Sequence, residues 1–181
     1  MTELDSEVIR SSLSEPELFA ALVDRHGREI WRFLARRSDR DTADDVLADV
    51  FTAAFARRSA YHLDYADARP WLYGIARNCL FAHRRRQRQR AATQTIDRYD
   101  DPWTAVDDRL DAANCAVPLR VALADLPADE RDVLLLVAWE QLTPTEAAEV
   151  LNIPPGTARS RLHRARVALK SVLPTTITER H

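Results

Sequence analysis

Residues 143–170, TPTEAAEVLNIPPGTARSRLHRARVALK, constrain the fold more than any other stretch, because they start a helix, break it sharply and start another. Thr143-Pro144-Thr145-Glu146 has the form of a capping box: a hydroxyl at the N-cap, proline at the first helical position, and a carboxylate able to reach back to the N-cap amide. Ala147, Ala148, Val150 and Leu151 give that helix a slim apolar side. Asn152 tolerates the left-handed backbone of a tight turn, and Pro154-Pro155-Gly156 stops continuation and restarts the chain in a new direction. From Thr157 onward Leu162, Ala165 and Leu169 recur at helical spacing, with Arg159, Ser160, His163, Arg164 and Arg166 on the other sides. The pattern predicts a helix-turn-helix whose second helix packs with one face and offers the others to DNA.

Charge supports this locally rather than globally. With 26 Lys+Arg against 28 Asp+Glu the chain is slightly acidic, which does not fit a generic polyanion binder. Two basic islands stand apart from that balance: Arg159, Arg161, Arg164, Arg166 and Lys170 in one, Arg84, Arg85, Arg86, Arg88 and Arg90 in the other, neither containing an acid. Between them Asp97, Asp100, Asp101, Asp107, Asp108 and Asp111 outnumber Arg98 and Arg109, so this stretch should avoid nucleic acid and stay solvated.

Only 3 glycines, with abundant Ala, Leu, Arg, Asp and Glu, favour an all-α chain, since hairpins and strands would want more turn glycine and more β-branched runs. No apolar stretch reaches the roughly 18 residues needed to span a bilayer, and MTELDSEVIR does not read as a signal peptide, so a cytoplasmic protein without membrane insertion is expected. Cys79 and Cys115 are too few for a disulfide framework. No Gly-rich phosphate loop, nucleophile elbow or paired-carboxylate site is present, so neither catalytic residues nor a cofactor are expected. Cys79 and His83, four apart, fit a helix core better than a zinc site, because further ligands are lacking, and no metal is expected.

A first helix is predicted from about Glu17 to Arg36, capped by Ser14, with Phe19, Leu22, Val23, His26, Ile30, Phe33 and Leu34 as its buried stripe. A second, roughly Asp41 to Arg58, buries Val46, Leu47, Val50, Phe51, Ala54 and Phe55 and carries Asp41, Asp45 and Asp49 on its opposite face. Like charges four apart repel by about 0.2–0.5 kcal/mol per pair. The row therefore reads either as a surface awaiting a basic partner or as a solvated face favoured by the helix N-terminal dipole. After the loop 61–70, a third helix runs from about Pro70 to Arg88 with Leu72, Ile75, Ala76, Cys79, Leu80 and His83 as its core face. Trp71, Gly74, Asn78, Phe81 and Arg85 form a second stripe that suits an unpaired nucleotide: an aromatic wall, an amide for base edges and a guanidinium for the backbone. Packing of Trp71 and Phe81 against a neighbouring helix is the alternative.

Residues from Ala91 to about Cys115 lack a helical period and, with Trp103 as their one large apolar anchor, read as a linker. Beyond it a helix from about Leu119 and another opened by Leu126-Pro127-Ala128-Asp129-Glu130 and running to Trp139 should support the helix-turn-helix. The expected organisation is therefore a domain at 14–90, a flexible acidic linker at 91–117 and a second domain at 118–174.

Four segments together carry a family resemblance: Thr42–Phe51 and Pro70–Asn78 in the first domain, Leu126–Leu135 and Ile153–Arg166 in the second. The chain resembles the extracytoplasmic-function (ECF) sigma factors of the sigma-70 family, bacterial initiation factors built of a region 2 helical bundle and a region 4 helix-turn-helix. The resemblance implies a factor that directs core RNA polymerase to specific promoters. Asp45 and Asp49 would grip the clamp coiled coil of the polymerase, and region 4 would meet its flap. Trp71 and Asn78, with the loop Tyr61 to Arg69, would hold a base flipped from the single-stranded −10 element, beside Arg77, Arg84 and Arg85. Arg159, Ser160, Arg161, His163 and Arg164 would lie on the double-stranded −35 element. An anti-sigma factor is a partner compatible with the family. The sequence departs from the family pattern at Ala48, where a polar group is usual, at Asn152, where glycine is common, and at His163, where residue type varies with promoter choice.

Arg159 and Arg164 lie about 500° apart around a helix axis, so they should not play the same part. Arg164 or His163 is expected to discriminate bases while Arg159 or Arg161 holds phosphate. The competing reading, a helix-turn-helix regulator that binds duplex DNA without being a polymerase subunit, leaves Trp71 to Arg90 without a use and normally requires dimerisation on a palindrome.

Overall fold

The computed structural model describes residues 3–91 and 116–172. All regular structure among the described residues is helical, the class expected. The chain separates into two compact units, Met1–Asp100 and Asp101–His181. Most of the expected linker, with its acid cluster, Trp103 and Cys115, lies outside the described residues.

The first unit contains α1 (Asp5–Ser11), a 3₁₀ turn (Pro16–Phe19), α2 (Ala20–Ala35), α3 (Arg40–Arg57), a second 3₁₀ turn (Arg58–Ala60) and α4 (Arg69–Ala91). α1 was not foreseen: the amide of Leu4 donates to the Glu7 carboxylate at 3.0 Å, closing its first turn, and Val8 and Ile9 are buried. Ser14 does not cap α2. Its hydroxyl donates back to the Ser11 carbonyl at 3.1 Å, and Pro16 leads a 3₁₀ turn, so the α-helix proper begins only at Ala20.

α2 buries Leu22, His26, Ile30, Phe33 and Leu34, but Val23, placed in the stripe by sequence, is 39% exposed because it sits 100° around the axis from Leu22. α3 starts at an Asp39 N-cap whose carboxylate accepts from the Thr42 amide at 2.8 Å and its hydroxyl at 2.9 Å. The amide bond is the main reason the Asp39 carboxyl stays below the ordinary carboxylate range. Val46, Val50, Phe51 and Ala54 are buried, whereas Leu47 is half-buried and Phe55 lies at the rim, its ring edge-on to Phe19 at 5.4 Å. α4 packs against both α2 and α3. It buries Leu72, Ile75, Ala76 and Leu80 as expected and, unexpectedly, Tyr73, whose ring lies 5.1 Å from that of Phe33. Leu80 is its last buried residue; Cys79 and His83 are only half-buried, and burial still pushes the Cys79 thiol up.

α2 ends on side chains. Arg37, buried, donates to the Phe33 carbonyl at 2.9 Å and Ser38 to the Leu34 carbonyl at 3.0 Å, while Arg84 reaches across from α4 to donate to the Arg37 carbonyl. Such carbonyls at a helix end are short of intrahelical partners; that of Leu34 also accepts the Arg37 amide at 2.8 Å.

The second unit contains α5 (Ala116–Asp125), α6 (Ala128–Ala138), α7 (Pro144–Leu151) and α8 (Pro155–Val172). Its core joins Leu123 and Leu126 to Val133, Leu134 and Leu135 of α6, Ala148 of α7, and Ala158, Leu162 and Ala165 of α8. Arg131 is buried, and its Nη1 donates to the carbonyls of Leu123 and Ala124, both at 3.3 Å, closing the last turn of α5. The capping box forms in both directions: the Thr143 amide donates to Glu146 at 2.6 Å, and the Glu146 amide to the Thr143 hydroxyl at 3.2 Å. Asn152 adopts φ 53° and ψ 50°, the left-handed turn expected of it, and Ile153 donates back to the Ala148 carbonyl at 3.0 Å.

Candidate nucleic-acid interfaces

α8 presents two faces. Ala158, Leu162 and Ala165 are buried, and Arg159, Ser160, His163, Arg164 and Arg166 are exposed. Ser160 donates its hydroxyl to the Gly156 carbonyl at 3.0 Å, a bond that is readily exchanged for one to a ligand because the side chain faces solvent. Arg161 and Arg164 are engaged by the acidic first turn of α6: Arg161 donates to Asp129, and Arg164 Nε to Glu130 Oε1 at 2.6 Å. Arg161 lies low against the unit, with 22% of its side chain exposed against 56% for Arg164. The residues predicted for this surface therefore lie on one helix, but two of its cations are partly neutralised within the same unit.

In the first unit the loop before α4 and the first turns of α4 form a second surface. The Trp71 ring is half-buried and edge-on to the buried Tyr61 ring at 5.1 Å, so it packs in part within its own unit and stays partly open to solvent. The Tyr61 hydroxyl donates to the Tyr65 carbonyl at 2.8 Å, which folds the loop back and leaves His62, Leu63 and Tyr65 exposed. Asn78 is exposed two turns beyond Trp71, and the Arg77 guanidinium covers the Phe81 ring at 4.6 Å. Arg85 is exposed, while Arg84 is turned inward onto the Arg37 carbonyl. Arg69 is held by Asp67 at 2.8 Å, and that hydrogen bond is the first cause of its raised pKa.

The acidic row of α3 is exposed at Asp41, Asp45 and Asp49. Asp49 meets Arg86 of α4 at 3.0 Å, so the row is compensated in part from within the unit. Asp44, on the adjoining face, accepts from the Trp31 indole at 2.6 Å and ties α3 to α2. Among the described residues no three His, Cys, Asp or Glu side chains gather as metal ligands, and no helix is long and apolar enough to cross a membrane.

Comparison with known proteins agrees with this division. The Sigma-70 region 2 family matches residues 22–90, and the Sigma-70, region 4 family matches residues 116–169. The ECF RNA polymerase sigma factor SigL of Mycobacterium tuberculosis is 30% identical over 169 residues, covering 93% of this chain and 96% of that protein. The chain belongs to the ECF RNA polymerase sigma factors. SigC of the same species is 34% identical over 151 residues (82% of this chain, 80% of SigC) and SigM of Bacillus subtilis 27% over 146 residues (80% and 88%). Among solved structures, CnrH bound to the cytosolic domain of CnrY superposes with TM-score 0.63 at 25% identity, covering 92% of this chain and 95% of CnrH. RpoE of Bartonella quintana, solved with the anti-sigma factor NepR, shares the fold at TM-score 0.62 and 20% identity, covering 90% and 98%.

This sigma factor is thus a transcription-initiation protein: α2, α3 and α4 lie in region 2, and α5 to α8 supply region 4. Sequence reasoning missed the residues that pair with the candidate charged side chains. Asp129 and Glu130 lie 32 and 34 positions from Arg161 and Arg164, and Arg86 lies 37 from Asp49. Such pairs have no helical period to betray them. The one usable hint was opposite charge on two helices destined to pack.

Proposed function

We propose that this sigma factor binds core RNA polymerase through the exposed Asp45 and Asp49 face of α3 on the clamp coiled coil and through region 4 on the flap. Its α8 reads the −35 element as duplex, with Arg164 or His163 on base edges and Arg159 or Arg161 on phosphate. The loop 61–69, Trp71 and Asn78 capture a base of the single-stranded −10 element, with Arg77 and Arg85 along the backbone. Region 2 takes in the expected 14–90, extended by α1 and by the end of α4 at Ala91, and region 4 starts with α5 at Ala116, two residues before the expected 118, which shortens the expected linker of 91–117 at both ends. The observation that carries this reading is the presence, in one chain, of two separately folded basic surfaces, one suited to a major groove and the other to an unstacked base.

No chemistry is required of the chain. Promoter opening draws on binding the melted strand better than the duplex, and trapping a flipped base must offset a few kcal/mol of unstacking. The protein then acts as a binding factor rather than an enzyme, in the cytoplasm where the polymerase works. CnrH is held by the cytosolic domain of CnrY, and an anti-sigma partner is proposed here by analogy.

Reconstituting the chain with core polymerase on genomic DNA and sequencing the transcripts tests the reading. Start sites preceded by shared −35 and −10 sequences are expected; transcripts no more specific than those of core polymerase alone would overturn it.

A further inference from the structure

α1 belongs to neither surface described above, yet its first residue is built into the support of one of them. Asp5 is 4% exposed. Its Oδ1 accepts from Arg25, and its Oδ2 accepts from the Ala68 amide at 2.9 Å and bonds His26 Nε2 at 2.8 Å. The Asp5 amide donates to the Ala66 carbonyl at 3.2 Å. One residue of α1 thus fixes both ends of the tripeptide Ala66-Asp67-Ala68, with Arg25 and His26 of α2 setting the orientation of its carboxylate.

That tripeptide ends the exposed loop and begins α4. The Ala68 carbonyl accepts the amide of Leu72 at 2.9 Å, so Ala68 opens the helix that carries Trp71 and Asn78. The loop is otherwise tethered at its far side, where Tyr61 bonds Tyr65 and packs on Trp71. A buried, ionised carboxylate is a poor stabiliser beside well-packed hydrocarbon, but charge-assisted hydrogen bonds fix distance and direction. Burial would push the Asp5 carboxyl up; the hydrogen bonds from His26 and Ala68, then the charge of His26 and the hydrogen bond from Arg25, outweigh it and hold the group at about 2. The carboxylate is therefore present throughout the physiological range. A binding pocket gains most from such a support when its loop must stand ready before the ligand arrives.

We propose that Asp5, oriented by Arg25 and His26, is a positioning residue for −10 recognition, holding the loop 61–69 and the first turn of α4 where the flipped base is read. The proposal rests on the assignment of Trp71, Asn78 and this loop to the −10 base. It assigns α1 a part in promoter choice although α1 lies on neither candidate surface.

The test uses holoenzyme and a promoter taken from the transcript sequencing above, with its own −10 element or single-base variants of it. Permanganate reactivity reports opening, and the readout is the ratio between native and variant templates. Asp5→Ala is expected to reduce that ratio by about tenfold, within the range a single mismatched base commands. Affinity for core polymerase and for a −35 duplex should stay unchanged. Asp5→Asn keeps an acceptor for the Ala68 amide and should fall between Asp5→Ala and wild type; with His26→Gln, which preserves polarity, it carries the test should Asp5→Ala not fold. Equal loss of opening on all templates, with the ratio intact, would reduce Asp5 to a stabilising residue and overturn the proposal. An intact ratio in Trp71→Ala and Asn78→Ala as well would instead remove the −10 pocket itself.

Discussion

Replacing Glu130 by glutamine should make region 4 slightly less stable and a better DNA binder at once. Glu130 stands in the first turn of α6, where a negative charge interacts with the helix dipole by about 0.3–1 kcal/mol. It also pairs with Arg164 at 2.6 Å, but 56% of the Arg164 side chain is in solvent, so the pair contributes about 0.2–1 kcal/mol. Together these put the stability loss at about 0.5–2 kcal/mol. The same pair opposes DNA, because Arg164 must leave Glu130 to reach a base or phosphate. Freeing it should tighten −35 binding by up to about 1 kcal/mol, or roughly fivefold. The salt dependence is the more telling quantity. An arginine already matched by a carboxylate releases little counterion charge from DNA, whereas a freed one should steepen the slope of log K against log salt by about 0.9. Anisotropy of a labelled −35 duplex with holoenzyme across a salt series, beside a chemical denaturation of the free chain, measures both. Unchanged affinity and unchanged slope would mean that Arg164 does not reach DNA. Weaker binding would mean that Glu130 orients Arg164 rather than competing for it.

Asp5 supplies a pH signature: its carboxyl titrates at about 2 in the folded chain against 3.8 unfolded, so its contribution, on the order of 2 kcal/mol, is present above about pH 4 and lost as pH falls through about 2. Urea unfolding of wild type and Asp5→Asn from pH 5 downward should show their difference shrinking over that window, and a constant difference would refute it. Leu162→Ala empties a site in the core shared by α5, α6, α7 and α8 and should cost about 2–5 kcal/mol. Hydrogen exchange is expected to lose protection across α5 to α8 and keep it in α2 to α4. Charge reversal at Asp45 should weaken association with core polymerase in a pull-down while leaving helicity by circular dichroism nearly unchanged. At Asp49 the reversal also breaks the exposed pair with Arg86, so a loss of stability of at most about 1 kcal/mol is expected there as well.

The features legible in sequence were those written in neighbouring residues. Thr143 and Glu146 cap each other, Asn152 takes the left-handed turn, and Leu162 and Ala165 face inward, because each depends on residues within about one helical turn. The illegible features depended on distant ones. Tyr73 is buried because α4 packs against two helices and hides a wider arc than a single stripe predicts. α1 has only seven residues and two buried aliphatics, and its anchoring partners His26 and Ala68 lie 21 and 63 positions away. At Ser14 the local signal was present but overruled, since Pro16 fixes a 3₁₀ entry that leaves the hydroxyl no helix to cap. Among the candidate site residues, the outward positions of α8 and Asn78 followed from periodicity, while the inward turn of Arg84 did not.

That inward turn divides the basic end of α4 into positions with different freedom to vary. Arg84 closes the end of α2, so a lineage adjusting its promoter preference there would uncap a helix in the same step, and most such variants would be lost as poorly folded before their specificity was tested. Arg85 is an exposed position next along α4 and can be exchanged with far less effect on the bundle. If this end of α4 meets the −10 element as proposed, new promoter specificities in this scaffold should arise at Arg85 and the exposed loop, with Arg84 remaining as the fixed point around which they diversify.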